Sequence, residues 1–272
     1  TERPPMPPIL QALVIMGGFT LLLAIAMTAL PRIGLGVITA PLTRAPGLDL
    51  AVALLTWIPW IPAGVLWGWL GVVGAILGQA MALMIWAALH EFANWNHPGR
   101  RVIVKFINRL VGRPRNHAAL WVTSVVFPVF WAIRAAQYFL YPMLVLLLRF
   151  PKYKQSEWVN VSRQKFDGLV GHDLIWCLYC DWMTGVYALG AEMLRNVESF
   201  WCPIRFYDGK KCKNCVVDFP DIDGGWVDAA GSMADVDAVL HEQYTPDGTR
   251  AWFGHPVRLT HEGEEPDQSQ RP

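Results

Sequence analysis

The chain begins with long runs of apolar residues and ends in a polar, acidic stretch. Residues 9–30, ILQALVIMGGFTLLLAIAMTAL, hold no charge over their whole length. At ~1.5 Å per residue such a helix covers a hydrocarbon core of ~30 Å. The pattern predicts a transmembrane helix, retained as an anchor and ended by Pro31 and Arg32. Residues 31–49 read as a loop rich in Gly and Pro. Residues 50–64, LAVALLTWIPWIPAG, are apolar but short and broken by Pro59 and Pro62. Proline removes a backbone donor and breaks a helix interior, so a re-entrant or interfacial segment is expected, with a complete span as the alternative. Residues 65–89 predict the second span. In it Gly74, Gly78 and Ala82 recur every four residues, a small-residue face that lets another helix, of this chain or of another subunit, approach closely.

Charge then sets an orientation. Arg100, Arg101, Lys105, Arg109, Arg113 and Arg115 fall in the short stretch 90–117. The positive-inside rule makes that stretch cytoplasmic, and residues 102–112 read as an amphipathic helix on the membrane surface. Two spans before it place the N-terminus on the cytoplasmic side as well. Residues 118–149 are apolar again, with Pro128, Arg134 and Pro142 inside and basic residues on both flanks. A hairpin hinged near Arg134, or helices in the interface, satisfies both flanks. One long tilted span would instead carry the following domain outside. Arg134 is read as snorkelling to the interface.

Composition sharpens this division. Hydrophobic residues make up 53% of the chain and charged residues 17%, a mixture suited to a half-membrane, half-soluble protein. Fourteen Trp suit membrane–water interfaces. Residues 218–272 carry twelve Asp/Glu against three Lys/Arg, which argues against nucleic-acid binding. The expected organisation is a membrane-embedded helical region over 1–150, a small cytoplasmic α+β cysteine-rich domain over 151–260, and a disordered polar tail over 261–272. The expected location is a bacterial-type inner membrane, with the lipid bilayer and other membrane subunits, met through Gly74, Gly78 and Ala82, as partners.

All five cysteines lie within 172–215: Cys177, Cys180, Cys202, Cys212 and Cys215. Two intervals are C-x-x-C, which suits tetrahedral thiolate ligation. Cys177 and Cys180 share one face of a helix expected over 166–196, with a gap near Gly171. Cys212 and Cys215 follow a turn at Asp208-Gly209. A structural zinc on the four paired cysteines is favoured over an iron–sulfur cluster, which needs the same thiolates. Cys202 is the odd residue and could replace any of the four. Disulfides need an oxidising compartment, and plain buried thiols are the third reading. Lys210, Lys211 and Lys213 would offset thiolate charge.

Other chemistry is weaker. His90, Glu91 and His97 resemble one box of a membrane di-iron oxygenase, but such sites need several histidine clusters and this chain has seven His in all. A solvated helix end is expected there. Asp221-x-Asp223-Gly224 lacks the calcium-loop Glu, its twelfth position being Ser232. A helix is expected over 233–243 and strands over 216–228 and 250–260. No phosphate loop or nucleophile motif stands out, so an enzyme is not the favoured reading and no catalytic residue is assigned.

One stretch carries a resemblance. GVYALGAEMLRNVESFWCPIRFYDGKKCKNCVVDF, residues 185–219, resembles the C-terminal half of the vinyl-reductase type of small-molecule-binding domain. Val197-Glu198, Cys202, Gly209 and Cys215-Val216-Val217 would take the parts of its strand start, Cys, turn and following strand. The resemblance covers about thirty-five residues, its Cys202-to-Cys215 interval is long, and Cys212 is extra. It implies a ligand- or metal-binding module in a family linked partly to tetrapyrrole metabolism. Together these readings point to an accessory, non-catalytic subunit of a membrane complex, of photosynthetic or electron-transport kind. A membrane-anchored redox or metal-dependent enzyme using the cysteines, and a small-molecule sensor, are the alternatives.

Overall fold

The computed structural model describes residues 5–97, 103–163, 166, 168–211, 213, 225–244, 246 and 250. Among these the protein is helical, with no strand and only two isolated bridges, Arg44 to Asn160 and Ile204 to Val227. The expected α+β character of the C-terminal part is therefore not borne out in the described residues. The strand expected over 216–228 lies mostly outside them, and all but the first residue of 250–260 does too. The chain divides into two compact units, Thr1–Val126 with Val159–Gly185, and Phe127–Trp158 with Val186–Pro272. Among the described residues three helical stretches are long and apolar enough to cross a membrane: Pro8–Ile33, Gly47–Ala93 and Arg113–Leu148.

In the first unit, helix α1 spans Pro8–Ala29, α2 spans Gly47–Leu55 and α3 spans Trp60–Ala93. Helix α3 is two arms rather than one rod. Gly68 sits at φ 64°, ψ −158°, a conformation open mainly to glycine. The arms fold back there: Trp60 Nε1 donates to Gln79 Oε1 at 2.6 Å, and a Cβ on Gly71 would collide with the Ala63 carbonyl. In a straight helix residues 60 and 79 would stand about 28 Å apart. Gly47–Ala93 is thus not a single crossing.

The second arm of α3 packs on α1, and the glycines explain how closely. A Cβ on Gly74 would strike the Ile9 carbonyl, one on Gly78 the Leu13 carbonyl, and one on Gly17 would lie 2.9 Å from the Gly78 carbonyl oxygen. Ala12 and Met16 bury against Ala63 and Ala75 lower down, and Ala24 against Trp86 and Ala87 higher up. Trp86 Nε1 reaches Thr28 Oγ1 at 3.3 Å, and Arg32 reaches His90 at 3.0 Å. Numbers rise together along both helices, so α1 and the second arm of α3 run parallel.

Two expectations change as a result. The small-residue stripe at Gly74 and Gly78, with Ala82 buried beyond it, meets α1 of the same chain rather than another subunit. And Pro8, at the start of α1, does not share an end with Lys105, which stands 3.5 Å from Glu91. The sequence reading counted two antiparallel spans, whereas parallel packing places Pro8 and Arg32 at opposite ends, with His90 beside Arg32.

The return path between α1 and α3 is broken, as Pro59 and Pro62 foretell. It consists of the nine residues of α2, a turn over 56–59 and the first arm of α3. A helix of nine residues covers about 14 Å, half a hydrocarbon core. The break leaves helix-end carbonyls without helical partners. Gln79 Nε2 fills that gap, donating to Leu55 O at 3.1 Å and Thr56 O at 2.7 Å.

Helices α4 (Ile103–Val111) and α5 (Arg113–Ser124) follow and pack together, with Asn116 donating to Asn108. Ile103, Phe106 and Leu110 lie exposed along one side of α4, consistent with the expected amphipathic surface helix.

The second unit is built on α6, Phe127–Leu148, and the later part of α7, Gly171–Trp201. Gly190 lets α7 approach Ile133 and Gln137, and Gln137 Nε2 donates to the Val186 carbonyl at 2.7 Å. Helix α6 runs straight through Arg134, so no hinge lies there; the interruption falls at residues 125–126. Arg134 is 1% exposed. It donates to Gln137 Oε1 at 2.6 Å and Tyr138 OH at 2.8 Å, so it is paired internally instead of snorkelling. Helix α8, Met233–Gln243, forms where expected, with Ser232 and Asp235 in a capping box.

Candidate functional site

The cysteines lead to α7. The helix begins at Gly171, where φ is 57°, and runs on to Trp201. Val197 and Glu198, expected to start a strand, are therefore helical. Cys177 and Cys180 lie one turn apart and are partly buried. That spacing brings their Cβ atoms to ~5–6 Å, close enough to serve one ion together. Cys202 is exposed and directly follows the last residue of α7. The helix from Cys180 to Trp201 covers about 32 Å if straight, so Cys202 and the pair present their sulfurs at different places along it. Cys212 and Cys215 lie outside the described residues. Among the described residues no group of three or more His, Cys, Asp or Glu is arranged to hold a metal.

A clamp surrounds the Cys177–Cys180 pair. Asp181 is 6% exposed, and its Oδ2 accepts the backbone N–H groups of Ser162 and Arg163 at 2.9 and 2.8 Å. The Arg163 guanidinium stands 3.2 Å from Asp181 Oδ1 and donates to Cys180 Sγ at 2.8 Å. Arg163 thus supplies positive charge next to the Cys180 sulfur. Of Lys210, Lys211 and Lys213, expected to offset thiolate charge, Lys211 lies over the Phe206 ring, while the neighbouring Cys212 and Cys215 are outside the described residues. Burial, with Asp181 nearby, pushes the Cys177 thiol pKa up, while Arg163 pulls it down.

The start of α7 meets the ends of α1, α3 and α4 in a polar collar. The Gly171 N–H donates to His90 Nδ1 at 3.0 Å, and Arg32 stands 3.0 Å from His90 Nε2. A neutral imidazole accepts at one nitrogen only, so His90 is approached by one more donor than it can accept. A side chain on Gly171 would strike Glu91 and the Ala87 carbonyl, which explains the glycine. Asp173 accepts the first N–H groups of α4, from Ile103 at 2.6 Å and Val104 at 3.1 Å, the arrangement an anion favours at a helix N-terminus. Burial nevertheless raises its pKa, outweighing those two bonds. His117 meets His172 edge-on with ring centroids 5.7 Å apart, and Trp176 donates to His172. Sequence spacing could not gather His90, His117 and His172, which lie on three helices; the one available signal was the unusual Gly171-His172-Asp173 helix start.

The fold and the site define a class: a helical protein with membrane-spanning character whose buried carboxylates and amides tie chain segments together. No protein family, no curated protein and no solved structure matches the chain.

Proposed function

We propose that the chain is an accessory, non-catalytic subunit of a membrane complex, bioenergetic in kind, photosynthetic or electron-transporting. One observation carries this reading: the buried polar side chains of the first unit hold segments in place. Asp181 fixes residues 162–163, Asp173 fixes the start of α4, Gln79 fixes the broken return path, and Asp49 accepts Trp182 Nε1 at 2.8 Å. Groups so engaged build a brace. The apolar outer faces of the helices supply the surface for lipid and neighbouring subunits. In this reading a structural zinc draws two thiolates from Cys177 and Cys180, with the remaining ligands from Cys212 and Cys215. The vinyl-reductase-like resemblance adds the tetrapyrrole-linked setting. In this reading the basic stretch is cytoplasmic and the N-terminus lies on the opposite side, a reading that the parallel packing of α1 supports.

A second reading, a membrane-anchored redox protein using the cysteines, is favoured by the Arg163 guanidinium, which donates to Cys180 Sγ at 2.8 Å and brings positive charge to the cysteine pair. One experiment separates the two. The protein is drawn from its native membrane in mild detergent, sized, and analysed for metal and visible absorbance. Migration with a larger assembly and one firmly held zinc supports the accessory reading. A monomeric, metal-free chain refutes it, and iron–sulfur absorbance transfers support to the redox reading.

A further inference from the structure

The second unit holds a groove of about 540 Å³ that no part of the preceding argument uses. That volume lies within the range of small-ligand pockets, roughly 300–1,000 Å³. Its lining is mixed: Pro142, Val145, Leu146 and Met193 are apolar, and Lys152 and Gln155 bring a positive charge and an amide. We propose that this groove binds an anionic glycerophospholipid whose head group carries free hydroxyls, of the phosphatidylglycerol kind.

The argument starts from α6. Its last two turns expose Met143, Leu146 and Leu147 and end a stretch apolar enough to cross a membrane. A groove opening beside these side chains is continuous with a lipid-facing surface, so an acyl chain reaches it from the bilayer. Pro142 lies inside α6; it has no N–H to offer the preceding turn, which loosens the helix where the groove forms.

Lys152 and Gln155 come just after α6 stops. Of the neighbours of Lys152 in the chain, Lys154 pairs with Glu157 at 2.6 Å and Arg149 donates to the Pro246 carbonyl at 3.1 Å. Lys152 lines the groove and is placed to meet phosphate at the membrane surface. Gln155 adds a specific demand. Its Oε1 is buried without a hydrogen-bond partner, and a buried acceptor left unpaired costs about 1–3 kcal/mol. A head-group hydroxyl donates to it; a choline head group has none to give.

The floor is rigid before any ligand arrives. Tyr141 OH donates to the Pro151 carbonyl at 3.1 Å, and Asn196 Nδ2 reaches Tyr153 OH at 2.5 Å and Tyr141 OH at 3.3 Å. Those bonds hold the segment 151–153 onto α6 and α7 and keep Lys152 at the rim. A prearranged site loses little freedom on binding.

The test uses the full chain, purified in detergent, stripped of lipid, and titrated with phosphatidylglycerol, phosphatidic acid, phosphatidylcholine or soluble glycerol 3-phosphate under native mass spectrometry. Phosphatidylglycerol is expected to bind at least tenfold more tightly than phosphatidylcholine, and glycerol 3-phosphate to show no binding at the same concentrations. K152E should lower phosphatidylglycerol affinity tenfold or more, and K152R should restore it. Q155L should lower phosphatidylglycerol affinity more than that of phosphatidic acid, because only the first carries head-group glycerol hydroxyls. Melting temperature of each variant without lipid controls for folding. Equal binding of phosphatidylglycerol and phosphatidylcholine overturns the proposal. So does a normally folded K152E that binds phosphatidylglycerol as the unaltered protein does.

Discussion

Replacing Gln79 by leucine probes the broken return path directly. Gln79 is 5% exposed and makes three hydrogen bonds, two donated to Leu55 O and Thr56 O and one accepted from Trp60 Nε1. Each such bond contributes about 0.5–1.5 kcal/mol net, and bonds between membrane helices average about 0.6 kcal/mol. Losing three costs about 2–4 kcal/mol. Leucine offsets part of this by adding apolar contact, on the order of 1 kcal/mol. A net destabilisation of about 1–3 kcal/mol is expected for Q79L. Denaturation in mixed micelles, followed by Trp fluorescence, measures it. W60F should cost less, and the double variant should show coupling of about 0.5–1.5 kcal/mol, because both changes remove the same bond. If Q79L is as stable as the unaltered protein and the coupling is zero, the helix-end carbonyls do not depend on Gln79 and the reasoning fails.

Further outcomes follow from the same geometry. An epitope at the N-terminus and one inserted after His97 should be protected on opposite faces of sealed membrane vesicles; protection on the same face would contradict the parallel packing of α1 and α3. Burial, and then the nearby His117, hold the His172 pKa below its ordinary value near 6.5, while Asp173 and Glu91 pull it upward. The folded state therefore resists protonation. This contribution to stability is complete above about pH 6.5 and is lost as pH falls through the folded value, and H172Q should flatten that slope in a denaturation series. Under native conditions near pH 7, maleimide should modify exposed Cys202 well before Cys177, whose thiol is raised by burial; mapping by peptide mass spectrometry reads the order. D181N should loosen residues 162–163, seen as faster amide hydrogen exchange at Ser162 and Arg163, with R163A giving a smaller effect because it spares both backbone bonds.

Much of the helical layout was legible in the residues. Uncharged runs long enough for a bilayer located α1 and the second arm of α3. Pro59 and Pro62 announced the interruption between them, and the helix expected over 233–243 is α8. These are local effects, determined by hydropathy, proline chemistry and side-chain-to-backbone bonds within a few residues. The small-residue stripe was equally visible, but a stripe reports only that something packs closely there.

What packs there was decided by tertiary structure. Gly74 and Gly78 face α1 because the reversal at Gly68 and the broken return path bring the second arm of α3 up beside it in parallel. A count of apolar runs cannot register a helical stretch that doubles back on itself, as Gly47–Ala93 does at Gly68. The same holds for the buried charges. Arg134 finds Gln137 and Tyr138 one turn away, while Asp181 finds Arg163 across a loop and Asp173 finds the start of α4 seventy residues earlier in the chain. Burial of a charge depends on partners that only folding brings together, so residue type and spacing announced that these groups needed partners without saying which ones they would meet.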